Sequence, residues 1–307
     1  MQASARAHLI YNPTAGRGDQ ERLLPHLLEA LVLQGWRVTP VPTGAAGDAS
    51  HLARAAVESR ARVVFALGGD GHLREVAKGL LGTAAALAPL PGGTVNVVAR
   101  EFGLGSDPVD VARRFGRGSP VEVDVGLCGD EPFLMQATTG LDAVTLSHVP
   151  AGAKRRLGVL AVVAAGIASW WHYRYPTIHL TADGEPVAGG WVAVCNLARY
   201  AGDFRLGEAH PADGRLELVL LSSRGRRATL KFALALALGQ HRRMRSLLVQ
   251  PVDEVVLTAP EDLPLQLDGD PVALSPPVAI RLHRQRLKLL LPAGRPEGRS
   301  SARRTPR

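Results

Sequence analysis

Over the first 120 residues, short apolar runs alternate with segments in which apolar residues recur every three or four positions. Ala7–Tyr11, Trp36–Val41, Arg62–Leu67 and Leu87–Leu90 have the length and β-branched or aromatic content of strands. Arg62–Leu67, with Val63, Val64 and Phe65 in succession, fits a strand covered on both faces, as in a parallel sheet. Between these runs, Leu24, Leu27, Leu28 and Leu31 mark one face of a helix that stops at Gly35. A second helix is predicted over Asp48–Arg60, and Leu73, Val76, Ala77 and Leu80 mark a third. Strand and helix alternating at this spacing predict a parallel sheet with right-handed crossovers.

Near Pro120 the texture changes. Val121, Val123, Val125 and Leu127 alternate with polar positions, and the later runs are short and bounded by Gly, Pro and Asp. Thr177–Ala182, Gly190–Asn196, Leu216–Leu221, Glu254–Thr258 and Leu263–Leu267 read as strands of an antiparallel sandwich or meander. Two helices interrupt them, over 157–171 and 227–238, and the strand-like run Val278–Leu291 could return to either domain. The pattern predicts an α/β domain with a parallel sheet over 1–120, which 279–292 could complete. A β-rich domain over 121–278 carries a helix at 154–171, and a basic disordered tail covers 293–307.

Two glycine turns interrupt the first domain at strand ends. Gly68, Gly69, Asp70 and Gly71 lie between a buried strand and a helix start, where backbone N–H groups and the helix dipole favour an anion. Asp70 either caps the helix or, among phosphates, holds a metal ion or removes a proton. A second pair, Gly92 and Gly93, precedes Thr94 and Asn96. Neighbouring strand tips with such turns form the crevice where open α/β sheets bind ligands. Neither turn has the GxGxxG spacing of a dinucleotide-binding dehydrogenase.

Composition narrows this little. Of 307 residues, 46% are hydrophobic and 21% charged, in the range of globular proteins. The net charge of +8 allows nucleic acid, an anionic membrane or an anionic substrate as partner. Part of that charge lies in the tail, and no nucleic-acid-binding motif is present. Cys128 and Cys195 stand alone in apolar segments, which points to a reducing compartment. The start, MQASARAHLIYNP, enters a strand without a signal-peptide apolar region, so a cytoplasmic protein is expected. The longest apolar stretch, 157–171, is too short to span a bilayer in the usual way. It ends in SWWHYRYP, with Trp170, Trp171, Tyr173 and Tyr175, beside Lys154, Arg155, Arg156 and Arg174. That helix either packs on the sheet or sits at a membrane interface.

Taken together, Asn12–Pro13 with Gly16, the GGDG turn with Glu75, Val76, Gly79 and Leu80, and Gly93, Thr94, Asn96, Ala99 and Arg100 resemble the diacylglycerol kinase and sphingosine kinase catalytic-domain family. Asp124–Gly126, Gly140–Asp142, Asn196 with Gly202, Pro211–Gly214 and Asp268–Asp270 resemble its later landmarks. The resemblance implies an NAD-kinase/diacylglycerol-kinase-like α/β domain joined to a β-sandwich. It implies a kinase that transfers the γ-phosphate of ATP to a lipid hydroxyl with Mg²⁺, acting at the inner membrane surface. Asp70 and Asp270 are the implied base and metal-associated carboxylates, in an order left open. Asn12, Gly16, Gly68, Gly69, Gly71, His72, Glu75, Gly92, Gly93, Thr94 and Asn96 are the implied nucleotide site. Asp213 is either an accessory metal ligand or a turn residue, Asp124 a substrate contact, and a homodimer is compatible. His72, Val97 and Asp270 depart from the family's usual Thr, Asp and Glu. An NAD-kinase-like enzyme and a catalytically inactive nucleotide-binding protein are the competing readings.

Overall fold

A computed structural model describes residues 5–15, 20–117, 119–149, 159–260 and 263–293. The expected Gly16 contact, Lys154–Arg156 and the 294–307 part of the tail lie outside the described residues.

The first lobe runs β1 (Ala5–Tyr11), α1 (Gln20–Leu33), β2 (Trp36–Pro42), α2 (Asp48–Glu58), β3 (Val63–Gly68), α3 (Asp70–Leu80) and β4 (Ala86–Pro91). Two short helices follow, α4 (Val97–Glu101) and α5 (Pro108–Ala112), then β5 (Ser119–Val123). The second lobe begins with β6 (Gly126–Cys128), β7 (Glu131–Phe133), β8 (Gln136–Thr139), α6 (Leu141–His148) and α7 (Val159–His172). It continues through β9 (Ile178–Ala182), β10 (Glu185–Gly189), β11 (Trp191–Cys195), β12 (Arg199–Tyr200), β13 (Phe204–Arg205), β14 (Leu216–Leu221) and α8 (Arg226–Ala237). β15 (Leu247–Val252), β16 (Glu254–Ala259), β17 (Leu265–Leu267), β18 (Asp270–Val272), β19 (Val278–Leu282) and β20 (Leu287–Leu291) complete the chain.

The first sheet has the order β2-β1-β3-β4-β20-β5, and only the β20–β5 pair is antiparallel. Every residue of β3 and β4 is buried, as an unbroken apolar run requires when helices cover both faces. Ser119–Val123, whose alternation resembles the strands of the second lobe, pairs with β20 in this first sheet. An edge strand covered on one face alternates in the same way as a sandwich strand, which is why the texture change falls one strand early. The run Val278–Leu291 divides: β19 joins the second lobe and β20 the first.

The second lobe packs two antiparallel sheets, β10-β9-β16-β19-β6-β7 and β15-β14-β11-β8-β17-β18. Ile178 and Leu180 of one sheet meet Val192, Val194 and Leu218 of the other in its core. The alternate residues of β11, Trp191, Ala193 and Cys195, face outward and are covered by Phe232 of α8. Sequence patterning predicts α7 and α8 but not α6, whose mixture of Val, Thr and Ser gives only a weak helical stripe.

Two segments cross between the lobes, and one ion pair joins them. Asp124, directly after β5, accepts a hydrogen bond from Arg286 Nε at 2.8 Å, directly before β20. Its other oxygen accepts from Gly214 N at 2.8 Å, and Asn196 Nδ2 donates to its carbonyl at 2.8 Å. At 4% exposure this carboxylate is fully used in holding the crossover.

Candidate active site between the lobes

The GGDG and Gly92–Gly93 turns end the adjacent strands β3 and β4, and Gly92 N donates to Gly68 O at 2.9 Å. A Cβ on Gly93 would lie 2.5 Å from Gly69 Cα, so the two turns touch because neither carries a side chain there. Asn96 fixes the second turn. Its Oδ1 accepts from Gly93 N at 2.8 Å, its Nδ2 donates to Gly93 O at 2.9 Å, and its backbone is left-handed at φ 54°. Gln20, buried at the start of α1, donates to Gly92 O at 2.8 Å and holds the same turn from the other side.

Asp70 caps a helix, though not its own. Its oxygens accept from Val97 N at 2.9 Å and Val98 N at 3.0 Å, the first N–H groups of α4. Burial raises its pKa, those two bonds oppose the rise, and the charge of Asp270 adds to it. Asp270 opens β18 from the second lobe, with 38% of its side chain exposed. It reaches Arg74 of α3 at 3.8 Å, and a Cβ on Gly71 would fall 2.1 Å from its Oδ2. Gly71 therefore makes room for the acid of the opposite lobe.

His72 lies against β1. Burial lowers its pKa, and its Nε2 lies 3.1 Å from the carbonyl of Ile10, so the neutral ring donates there. The imidazole that stands where the family has Thr thus joins α3 to the start of the Asn12 loop. A Cβ on Gly68 would meet its ring at 2.6 Å. Asn12 Oδ1 accepts from Thr14 N and Oγ1, each at 2.9 Å, and shapes that loop.

The two turns and the facing acid border one cavity of about 1020 Å³. Asn12, Gly69, Asp70, Gly71, His72 and Glu75 are on its wall, as are Gly93, Thr94 and Asp270. Gly68, Gly92 and Asn96 stand behind the wall and set its shape. The structure does not bring Asp124 or Asp213 to the cavity. The substrate contact expected of Asp124 is corrected, because its carboxylate is committed to Arg286 and Gly214. Asp213 is exposed and accepts from Arg215 N at 3.1 Å, a turn residue's bond. Among the described residues no group of three or more His, Cys, Asp or Glu could hold a metal ion. Mg²⁺ commonly takes one or two carboxylates and completes its shell with water and phosphate oxygens, so Asp270 at the open turn fits that need.

Beyond the glycine turns the cavity becomes apolar, with Leu141, Leu146, Trp191, Phe232 and Leu236 on its wall. A polar chain marks the border. Gln266 Nε2 donates to Thr138 Oγ1 at 2.5 Å, and Thr138 donates to Asp142 Oδ2 at 2.5 Å. Asp142 also accepts from Trp191 Nε1 at 2.8 Å and Tyr200 Oη at 2.9 Å. Gln136 on the same border is buried, and its Oε1 has no hydrogen-bond partner among the described residues. Next to it, Asp268 accepts from Leu134, Met135 and Gln136 N–H groups at 2.7, 2.8 and 3.1 Å. Burial nevertheless pushes Asp268 up to about 6. Sequence reasoning does not assign a site role to Gln136 or to the Thr43–Ala46 loop, since only the fold brings them to this wall.

Residues 6–128 match the model of the diacylglycerol kinase catalytic domain, and residues 136–291 match that of the YegS C-terminal NAD kinase beta sandwich-like domain. A diacylglycerol kinase of Bacillus subtilis is 27% identical over 91% of this chain and 94% of its own length. A Pseudomonas putida protein named "Probable lipid kinase YegS-like" is 29% identical over 85% of this chain and 88% of its own. In fold, a crystal structure of a diacylglycerol kinase from Bacillus anthracis superposes with a TM-score of 0.70. It is 18% identical and covers 95% of this chain and 98% of its own. With both lobes matched in order, the chain belongs to the family in which a diacylglycerol kinase catalytic domain is joined to a YegS-type β-sandwich.

Proposed function

We infer that this lipid kinase transfers the γ-phosphate of ATP to a lipid hydroxyl, with Mg²⁺ bound at Asp270. One observation carries the reading: a single cavity joins two touching glycine turns, a carboxylate from each lobe and an apolar chamber. The first part suits a triphosphate, because N–H groups at strand tips approach phosphate without side chains in the way. The apolar part suits hydrocarbon.

In this reading Asp270 and Asp70 divide the work. Both oxygens of Asp70 are bonded to α4, so it positions the Gly93–Asn96 turn against the phosphates. Asp270, on the open side of the GGDG turn, takes the proton of the attacking hydroxyl. The lipid oxygen bonds to the γ-phosphorus, the bond from that phosphorus to the β,γ-bridging oxygen breaks, and ADP leaves. Arg74 beside Asp270 adds positive charge near the phosphates, and Mg²⁺ when bound neutralises developing negative charge. The unpaired Gln136 Oε1 accepts a hydrogen bond from the substrate's polar end, since a buried acceptor without a partner costs about 1–3 kcal/mol.

The test is phosphate transfer from labelled ATP to a lipid extract, resolved by chromatography, with single variants alongside. Asp270→Asn is expected to lower kcat by roughly 10²–10⁴-fold with the fold intact. Asp70→Asn is expected to weaken ATP binding by calorimetry, because an amide offers only one acceptor for the two α4 N–H groups. Full activity of Asp270→Asn would remove that residue's assignment as base.

A further inference from the structure

The hairpin β12–β13 belongs to neither sheet of the sandwich. Its strands form a two-stranded sheet of their own, with Arg199 opposite Arg205 and Tyr200 opposite Phe204. Such a ribbon is marginal by itself and takes its place from what it packs against. Here both ends of the cavity hold it. Tyr200 and Ala201 are on the cavity wall, as is Val95 of the second glycine turn. A Cβ on Gly202 would lie 3.7 Å from Val95 Cγ1, so the tip of the hairpin lies against that turn.

From the first lobe, the C-terminal end of α4 grips the hairpin. Glu101, 13% exposed, accepts from Arg205 at 3.4 Å and lies 3.2 Å from Arg199 Nε. Arg100 donates to Asp203 Oδ2 at 2.9 Å, and Arg199 to Asp203 Oδ1 at 3.1 Å. Asp203 is 74% exposed, so water screens those pairs, whereas the Glu101 carboxylate is largely shielded and holds its partners more firmly. On the side of the second lobe, Tyr200 follows Arg199 directly and donates to Asp142 Oδ2 at 2.9 Å. Its ring meets Trp191 edge-on, with centroids 6.1 Å apart. Asp70 binds the start of α4 and the hairpin binds its end. One connection therefore runs from the GGDG turn to the border of the apolar chamber.

We propose that Glu101 is a positioning residue that couples the two ends of the cavity. Filling the glycine turns sets α4, and α4 sets Tyr200 at the chamber through the hairpin, so nucleotide and lipid each tighten the binding of the other. This deepens the lipid-kinase reading and takes from it the identity of the two ligands. Glu101 itself is not on the cavity wall, so it acts on both ligands only through α4 and the hairpin.

The experiment uses the full chain with Mg²⁺, the non-transferring ATP analogue AMP-PNP, and dioctanoylglycerol dispersed in detergent. By calorimetry, the wild type is expected to bind AMP-PNP about fivefold or more tightly when dioctanoylglycerol is present than when it is absent. E101Q is expected to bind AMP-PNP alone within about twofold of the wild type and to lose that tightening. Y200F, which breaks the other end of the connection, should lose it as well. E101Q/Y200F should lose no more than either single variant, because both changes interrupt one connection. With AMP-PNP alone, the Trp191 indole N–H signal in NMR should move in the wild type and stay in place in E101Q, a readout that lowered stability does not mimic. An indole shift or a tightening that E101Q keeps would overturn the proposal, as would a wild type that shows neither. If AMP-PNP binds but no lipid is phosphorylated, the kinase reading fails while the indole signal still decides the role of Glu101.

Discussion

Asp268 illustrates how much a single carboxylate depends on its place. It lies one glycine from Asp270 and is fully enclosed, while Asp270 stays partly open. Three backbone N–H groups aim at it, yet burial dominates and lifts it from the ordinary 3.8 to about 6. The folded chain therefore keeps a proton there that the unfolded chain releases near 3.8. This contribution to stability is fully present below about pH 3.8 and is lost as pH rises through about 6. Carbon NMR of the Asp268 carboxyl should show titration near pH 6, and a midpoint near 4 would contradict the burial argument. The opposite sign holds for His72, whose lowered pKa makes the fold lose stability as pH falls. At this scale the sequence is readable where a residue's chemistry is its job. GGDG announces an acid among glycines, but that Asp70 would cap α4 rather than α3 depends on two strand tips lying side by side.

At the scale of elements, the crossover between the lobes is narrow, and Asp124 occupies it. Removing its side chain leaves Arg286 without its carboxylate and Gly214 N without its acceptor, although both of these partners remain within reach of water. Asp124→Ala is expected to cost roughly 1–2 kcal/mol of stability, measured by urea unfolding, without touching the cavity wall, since the exposed partners left behind are rehydrated. Wild-type stability in that variant would mean that the crossover does not depend on the ion pair. Strand and helix periodicity give most elements of the first lobe to within a few residues. β5 reads as a member of the wrong sheet because alternation reports only that one face is buried, not which partner buries it. α6 is hidden for a related reason, since its short, β-branched stretch is helical through its neighbours rather than through its own spacing.

For the molecule as a whole, the cavity exists only where both lobes meet. Its glycine-turn end is legible in the sequence, whereas its apolar end looks like ordinary core: Leu141, Trp191 and Phe232 have the same composition as a packed interior. The size of this chamber should limit the chains that enter it. Ala233→Trp on α8 adds an indole at the wall. It is expected to reduce turnover of dioleoyl lipids roughly tenfold more than that of dioctanoyl lipids. Equal losses for both would separate the chamber from chain recognition.

The return of β20 to the first sheet has a bearing on biosynthesis. Until Leu291 has left the ribosome, β4 is the uncovered border of that sheet, a hydrophobic strand paired with β3 on one side only while the entire sandwich is being made. Pro89 and Pro91 sit on that strand, and a border residue without an amide hydrogen offers a poor template to stray chains. The two prolines act as a temporary guard, and cutting the chain at the lobe boundary would leave the first lobe with an unfinished edge.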